Sequence, residues 1–228
     1  MNTTFANIAI SPTKANRLYW LGRYAERVVM SMHLLRKYAN RAIDGDREAT
    51  YDDFCTRMGI PMVADAETFE SEFLYSTTTD TSILRYLDFA KHNAMLLRDD
   101  LRSETLAYIE MAVNTMASAA TEGLSLGKLT SISDNMMAFW GAVEENIRPR
   151  CIRNLLNIGR YVEKLDLMIR FDYDAARIAD TMDRLASIDR SELSLCDEKD
   201  IALLRSRVEE MTYRTDDTLS RLNTLFAA

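Results

Sequence analysis

The sequence predicts an all-α protein: a bundle of six or seven helices forming one domain over residues 11–228, behind a short tail at residues 1–10. Three observations carry this. Only seven glycines and three prolines occur in 228 residues, and Leu, Ala, Met, Arg and Glu, all good helix formers, are abundant. Apolar residues step by three and four, as in Leu18, Leu21, Ala25, Val28, Met32 and Leu35, which is the spacing of a helical seam. Finally, the cassette Asn16-Arg17-Leu18-Tyr19-Trp20-Leu21-Gly22-Arg23-Tyr24-Ala25-Glu26-Arg27 has a later counterpart in Asn157-Ile158-Gly159-Arg160-Tyr161-Val162-Glu163-Lys164. That points to one helical unit used in two places.

Ser11-Pro12 is a helix opening, with Ser at the cap and Pro at the first helical position. The first helix should run to Ile43 and stop at Asp44-Gly45, about 45 Å of rod at 1.5 Å per residue. A short helix from Tyr51 to Met58 ends at Gly59-Ile60-Pro61, and Asp65 caps another from Ala66 to about Tyr75. The run Ser76-Thr77-Thr78-Thr79-Asp80-Thr81 is rich in capping residues and feeds a helix from Ser82, with Ile83, Leu87, Ala90, Ala94 and Leu97 on one stripe. Arg98 to Glu104 reads as a charged junction. A helix from Thr105 to Thr121 points Leu106, Ile109, Val113 and Met116 inward, and Glu122 to Lys128 reads as a flexible connector. Ser131 to Ile147 carries Met136, Met137, Phe139, Trp140 and Val143, side chains that at this spacing make core. Arg148-Pro149-Arg150 breaks it. The second cassette helix is expected from about Cys151 toward Ile188, with Leu155, Ile158, Val162, Leu165 and Ile169 on its seam. After a polar joint at Asp189 to Asp197, a last helix from Glu198 to Leu225 carries Ile201, Leu204, Val208, Met211, Leu219 and Leu222.

With the seam at the core, Arg23 and Arg160 fall on the far sides of their helices. Gly22 and Gly159 sit mid-helix, where glycine costs roughly 1 kcal/mol relative to alanine, so close approach of a backbone or a ligand should require them. Arg23, Glu26 and Arg27, three and four residues apart, share one surface, and the two like charges ask for a carboxylate or a bound anion. Three readings fit. One is a solvated salt-bridged surface, against which the aromatics Trp20 and Tyr24 argue. In the second, the cassette helices cross at Gly22 and Gly159 and exchange reciprocal pairs, Arg23 with Glu163 and Arg160 with Glu26. The third is a ligand or partner site drawing on Asn16, Tyr19, Trp20, Arg23, Glu26, Arg27, Arg160, Glu163 and Lys164.

The run Leu21-Gly22-Arg23-Tyr24-Ala25-Glu26-Arg27, after Asn16-Arg17-Leu18-Tyr19-Trp20, resembles the start of the alpha-E family, bacterial helical proteins named for a Glu-Arg motif. Ala90-Lys91-His92-Asn93-Ala94, followed by Arg98-Asp99, Leu101 and Ser103-Glu104, is similar to the family's central pattern, with Lys91 and His92 standing where Arg and Glu are usual. Gly159-Arg160-Tyr161-Val162-Glu163-Lys164 is a third match, with Lys164 where Arg is frequent. The resemblance implies that Asn93, Arg98 and Glu104 join the polar centre of Arg23 and Glu26; a solvated turn is the other reading of that junction. It also implies a setting, because such proteins are typically encoded beside, or fused to, circularly permuted ATP-grasp ligases and transglutaminase-like proteases. The expected function is then that of a non-catalytic accessory or scaffold protein in peptide or amide-bond modification. The alternative is an enzyme or binder that holds a peptide or an anionic small molecule at the Arg/Glu site.

Several chemistries fit the residues poorly. A net charge of −7 argues against nonspecific nucleic-acid binding. No apolar run approaches about 20 residues, so no membrane span is expected. Met1 to Ile10 lacks the basic start and apolar middle of a signal peptide, so a cytoplasmic location is expected by default. Cys55, Cys151 and Cys196 are scattered and read as reduced packing thiols. Di-iron bundles need Glu three residues before a histidine, but Met30 precedes His33 and Phe89 precedes His92. Ser11-Pro12-Thr13-Lys14 and Ser133-Asp134-Asn135 lack the Lys-Thr-Gly that would complete a penicillin-binding signature. Neither a phosphate loop nor Gly-x-Gly-x-x-Gly is present, and no metal or cofactor is expected. A homo-oligomer contact on the last two helices stays open.

Overall fold

A computed structural model describes residues 10–45, 50–63, 65–123, 126–188 and 198–226. The expected tail, the polar joint at 189–197 and Cys196 therefore lie outside the described residues, apart from Ile10. α1 (Pro12–Ile43) opens as Ser11 Oγ accepts from the Lys14 amide at 3.3 Å. α2 (Tyr51–Met58) is capped by Thr50, which accepts from the Asp53 amide at 3.1 Å, and is closed by Gly59 in the left-handed region at φ 69°. α3 (Ala66–Phe69), capped by Asp65 on the Thr68 amide at 2.8 Å, widens into a π turn over Glu70–Tyr75. Ser82 caps α4 (Ile83–Leu96), accepting from the Arg85 amide at 3.1 Å. The single turn α5 (Arg98–Leu101) leads through Arg102 to α6 (Ser103–Glu122). α7 (Leu126–Asn146), α8 (Arg150–Arg170), α9 (Ala175–Ala186), α10 (Glu198–Glu209) and α11 (Asp216–Thr224) complete the chain, and no strand forms among the described residues.

α1 is the axis. α8 runs against it most extensively, with α4 and α7 beside it. α6 covers α4 and α7, while α9 lies on α8, α10 on α9, and α11 returns to α8. Enclosure on so many sides buries both seams: Leu18, Leu21, Ala25, Val28 and Met32 on α1, and Leu155, Ile158, Val162, Leu165 and Ile169 on α8. Each such large side chain contributes about 1.5–3 kcal/mol on burial. Near the C-terminal end of α1, Phe54 meets Tyr38, Phe69 and Phe73 with ring centroids 5.3, 5.5 and 5.3 Å away, all edge to face, the arrangement that aromatic quadrupoles favour.

The structure corrects the reading of the long elements. The single helix expected from Cys151 to Ile188 breaks after Arg170, with Asp172 in the left-handed region at φ 51°. Arg57 Nη1 donates to the Arg170 carbonyl at 3.0 Å and to Asp172 Oδ2 at 2.6 Å, and Asp174 then caps α9. The last helix also breaks, at Met211 with φ 60°, and Thr215 caps α11. Met211, expected on the inner stripe, is 63% exposed as a result. Neither break carries a glycine or proline; side-chain caps set both of them. α7 begins at Leu126, so the expected connector shrinks to Gly123 and the two undescribed residues after it. On α6 the fully buried stripe is Thr105, Ile109, Ala112, Met116 and Ala119, with Leu106 and Val113 only half-buried. Met137, expected in the core, is half exposed.

Candidate functional site

Where α1 crosses α8 the backbones touch. A Cβ on Gly22 would lie 2.2 Å from the Leu156 carbonyl oxygen, and one on Gly159 would lie 2.1 Å from the Tyr19 carbonyl oxygen. Each glycine thus meets the carbonyl three residues before the other, a reciprocal approach that explains two helix-weakening residues mid-rod. The approach sets each following arginine against the acid of the opposite helix. Arg23 Nε donates to Glu163 Oε2 at 2.7 Å, and Arg160 Nε donates to Glu26 Oε2 at 3.2 Å.

The Glu163 side is closed. Arg23 and Glu163 are 4% and 1% exposed, and Arg27 Nε donates to the second Glu163 oxygen. Arg23 Nη2 also reaches Asn223 Oδ1 on α11 at 2.8 Å. Asn223 Nδ2 in turn donates to Asp166 Oδ1 at 3.3 Å, and Arg170 Nε donates to Asp166 Oδ2 at 2.8 Å. Phe226 stacks on Tyr19 at 4.3 Å, and the Arg23 guanidinium lies 5.2 Å from the Trp20 ring. Burial pushes the Glu163 carboxyl up, but Arg27 and Arg23 outweigh it and hold it below the ordinary carboxylate range. Burial likewise works against the Arg27 and Arg23 charges, and Glu163 more than restores them.

The Glu26 side is open. Glu26 itself is buried, yet with Arg160 and Lys164 it lines a cleft of about 580 Å³ between α1, α7, α8 and α9. Burial pushes its carboxyl up, and the attraction of Arg160 and Lys164 offsets this only in part. The Arg160 guanidinium sits 4.3 Å from the Trp140 ring centroid. Glu26 and Arg27, neighbours in sequence, therefore serve different sides: the acid pairs with Arg160 and the base with Glu163.

Other expected members lie elsewhere. Arg98 is 78% exposed and pairs with its neighbour Asp99 at 3.8 Å, and Glu104 is exposed; both stand on the short α5 and the first turn of α6, facing solvent. Asn93 is half-buried on α4, with no described hydrogen bond to the centre, and Asn16 is exposed. The junction is thus a solvated turn, and these four residues are corrected out of the polar centre. Asp166, Asn223, Tyr86, whose ring centroid lies 5.4 Å from the Arg27 guanidinium, and Trp140 enter it unforeseen. Asp166 was legible as the acid three residues after Glu163 and four before Arg170; Asn223 was not, lying 200 positions from the arginine it meets.

The remaining reactive side chains take no part in the ion pairs of this centre. Cys55 and Cys151 are buried, and burial with nearby Asp52 pushes the Cys55 thiol up. His33 lines the cleft, where burial and the charges of Lys37, Arg36, Arg177 and Lys164 push it below its ordinary value. His92 is exposed. Among the described residues no group of three His, Cys, Asp or Glu side chains is placed to hold a metal, and no helix is long and apolar enough to cross a membrane.

No curated protein and no solved structure matches the chain. A family model does: residues 12–223 match Alpha-E, described as a predicted alpha-helical domain with a conserved ER motif. The chain's Glu-Arg pair, Glu26-Arg27, lies at the α1–α8 crossing, and with nearly its whole length matched the chain belongs to the Alpha-E family.

Proposed function

We propose that the chain is a non-catalytic helical accessory or scaffold protein of the bacterial cytoplasm. It acts with an ATP-grasp-type ligase or a transglutaminase-like protease in peptide or amide-bond modification. One observation carries the non-catalytic part: on the Glu163 side Arg23, Arg27 and Glu163 are spent on one another, in a largely buried contact between α1 and α8. Such a contact fixes a rod-to-rod geometry, as buried ion pairs do when they specify register. An acid held below its ordinary range by two guanidiniums is a poor proton donor or acceptor near neutral pH. The partner class rests on the setting that the family resemblance implies. It is tested by affinity capture of the tagged full chain from its own organism, followed by mass spectrometry. Recovery of a ligase or protease of these classes supports the reading, and reproducible capture of neither overturns it.

A second reading is favoured by the Glu26 side, where the cations of the centre face a cleft rather than a closed core. There the protein holds an anionic small molecule or peptide and presents it to the partner.

A further inference from the structure

We propose that the cleft beneath α9 binds the carboxylate of a ligand whose remaining body is apolar, with the Arg160 guanidinium as receptor and Lys164 as second charge. This rests on the second reading above and adds to it the ligand class and the atoms that read it.

Arg160 is built as a receptor. Its Nε is committed to Glu26 at 3.2 Å and its plane lies against Trp140, with the guanidinium carbon 4.3 Å from the ring centroid. The group is therefore held in place from two directions, while its two terminal nitrogens donate to no described acceptor. A fixed guanidinium with two such nitrogens matches the two oxygens of a carboxylate through parallel N–H···O bonds. Lys164, one turn along α8, also lines the cleft, and its ammonium has no described acceptor.

The charge count favours a monoanion. Glu26 balances Arg160, Asp180 is paired with Arg184 at 3.0 Å, and Arg177 with Asp174 at 3.5 Å. Lys164 is left as the surplus. One surplus charge suits a carboxylate better than a phosphate dianion. Beside these cations the cleft is lined by Val29, Met30, Met137 and Met168, and unbranched methionines adapt to apolar shapes. This gives a reason for the half-exposed Met137, which stands at the cleft instead of in the core. The volume, about 580 Å³, is in the range of small-ligand pockets. A peptide C-terminus with apolar last residues and a free aliphatic acid share this chemistry.

The test is calorimetric titration of the full chain with octanoate, N-acetyl-leucyl-leucine, the C-terminal amide of that dipeptide, and inorganic phosphate. At least one carboxylate should bind, with the amide weaker by about tenfold or more, the worth of a charge-assisted pair. Lys164→Met, at a partly buried side chain with no described hydrogen bond, should fold normally and weaken binding severalfold. Arg160→Met combined with Glu26→Gln, which leaves no buried acid unpaired, should abolish it. Tighter octanoate assigns the cleft to free acids, and a tighter dipeptide assigns it to peptide termini. Equal binding of acid and amide, or full affinity in either variant, overturns the proposal. Phosphate binding in place of carboxylates overturns the ligand class and leaves the anion-holding reading standing; binding of none of the anions removes both.

Discussion

Glu163 and Glu26 each stand four residues after a glycine of the crossing, and each receives the Nε of the arginine beside the other glycine. Their surroundings then diverge. Five residues after the glycine, α1 has Arg27, which bonds Glu163; α8 has Lys164, which attracts Glu26 without a described bond to it. The guanidinium fork can serve an acid and still stack, 5.4 Å from the Tyr86 ring, whereas an ammonium is a point charge that prefers water. The cover differs as well. α11 brings Asn223 over Arg23, and Phe226 just after it stacks on Tyr19, while α9 leaves a cleft over Arg160 and Lys164. Near-identical cassettes thus yield a satisfied strut on one side and an acid burdened by its burial on the other. The difference lies in one Arg-to-Lys change and in what packs on top.

The most damaging way to break this arrangement acts on both sides together. Gly22→Ala and Gly159→Ala each push a methyl onto a carbonyl oxygen of the other helix. The gain of about 1 kcal/mol in helix propensity is small beside a backbone clash, so each should cost about 3 kcal/mol or more by chemical denaturation. The two losses should be similar, and a neutral result at either glycine would show that the rods can part without cost.

Glu163→Leu and Glu26→Leu separate the sides. The first leaves Arg23 and Arg27 buried without their acid, a loss of about 3–5 kcal/mol. The second frees Arg160 and Lys164, which reach the cleft, and should cost no more than about 1 kcal/mol. Equal losses would erase the distinction. A double-mutant cycle sharpens it: Arg23→Met with Glu163→Leu should be less destabilising than Glu163→Leu alone, with a coupling of about 2 kcal/mol, whereas additive losses would dissolve the pair.

Much of this was legible in the sequence because it is local. The all-α class followed from composition and spacing, and the start and end of α1 from Ser11, Pro12 and Asp44-Gly45. The mid-helix glycines announced a close approach, since nothing else justifies them there. The breaks at Asp172 and Met211 were hidden because the side-chain caps Asp174 and Thr215 replace the usual glycine or proline, and because Arg57, from α2, fastens the first break at Asp172. Arg98 and Glu104 were misplaced because a charged segment reads alike whether it faces a centre or water. That one side of the centre is lidded and the other open was beyond reach, since it depends on where α9 and α11 fold back.

The smallest expected effect is the dependence of stability on pH, where the two acids should act with opposite sign. Glu163 is held below the ordinary glutamate value of about 4.3, so beneath that value the unfolded chain takes up a proton that the folded chain refuses. Its contribution is complete above about 4.3 and drains away as pH falls through the folded value. Burial holds Glu26 above the ordinary value, among Arg160, Lys164 and Glu163, so the folded chain keeps a proton that the unfolded chain has released. Its contribution is fullest at acid pH and is lost as pH rises through the folded value. Glu163→Gln should therefore flatten the acid limb of a denaturation series, and Glu26→Gln the limb toward neutral pH. A tenfold difference in proton affinity between the folded and unfolded chains is worth about 1.4 kcal/mol. Parallel curves for wild type and Glu26→Gln would mean that Arg160 satisfies its acid as fully as Arg23 and Arg27 satisfy theirs, and that the open side is open in shape alone.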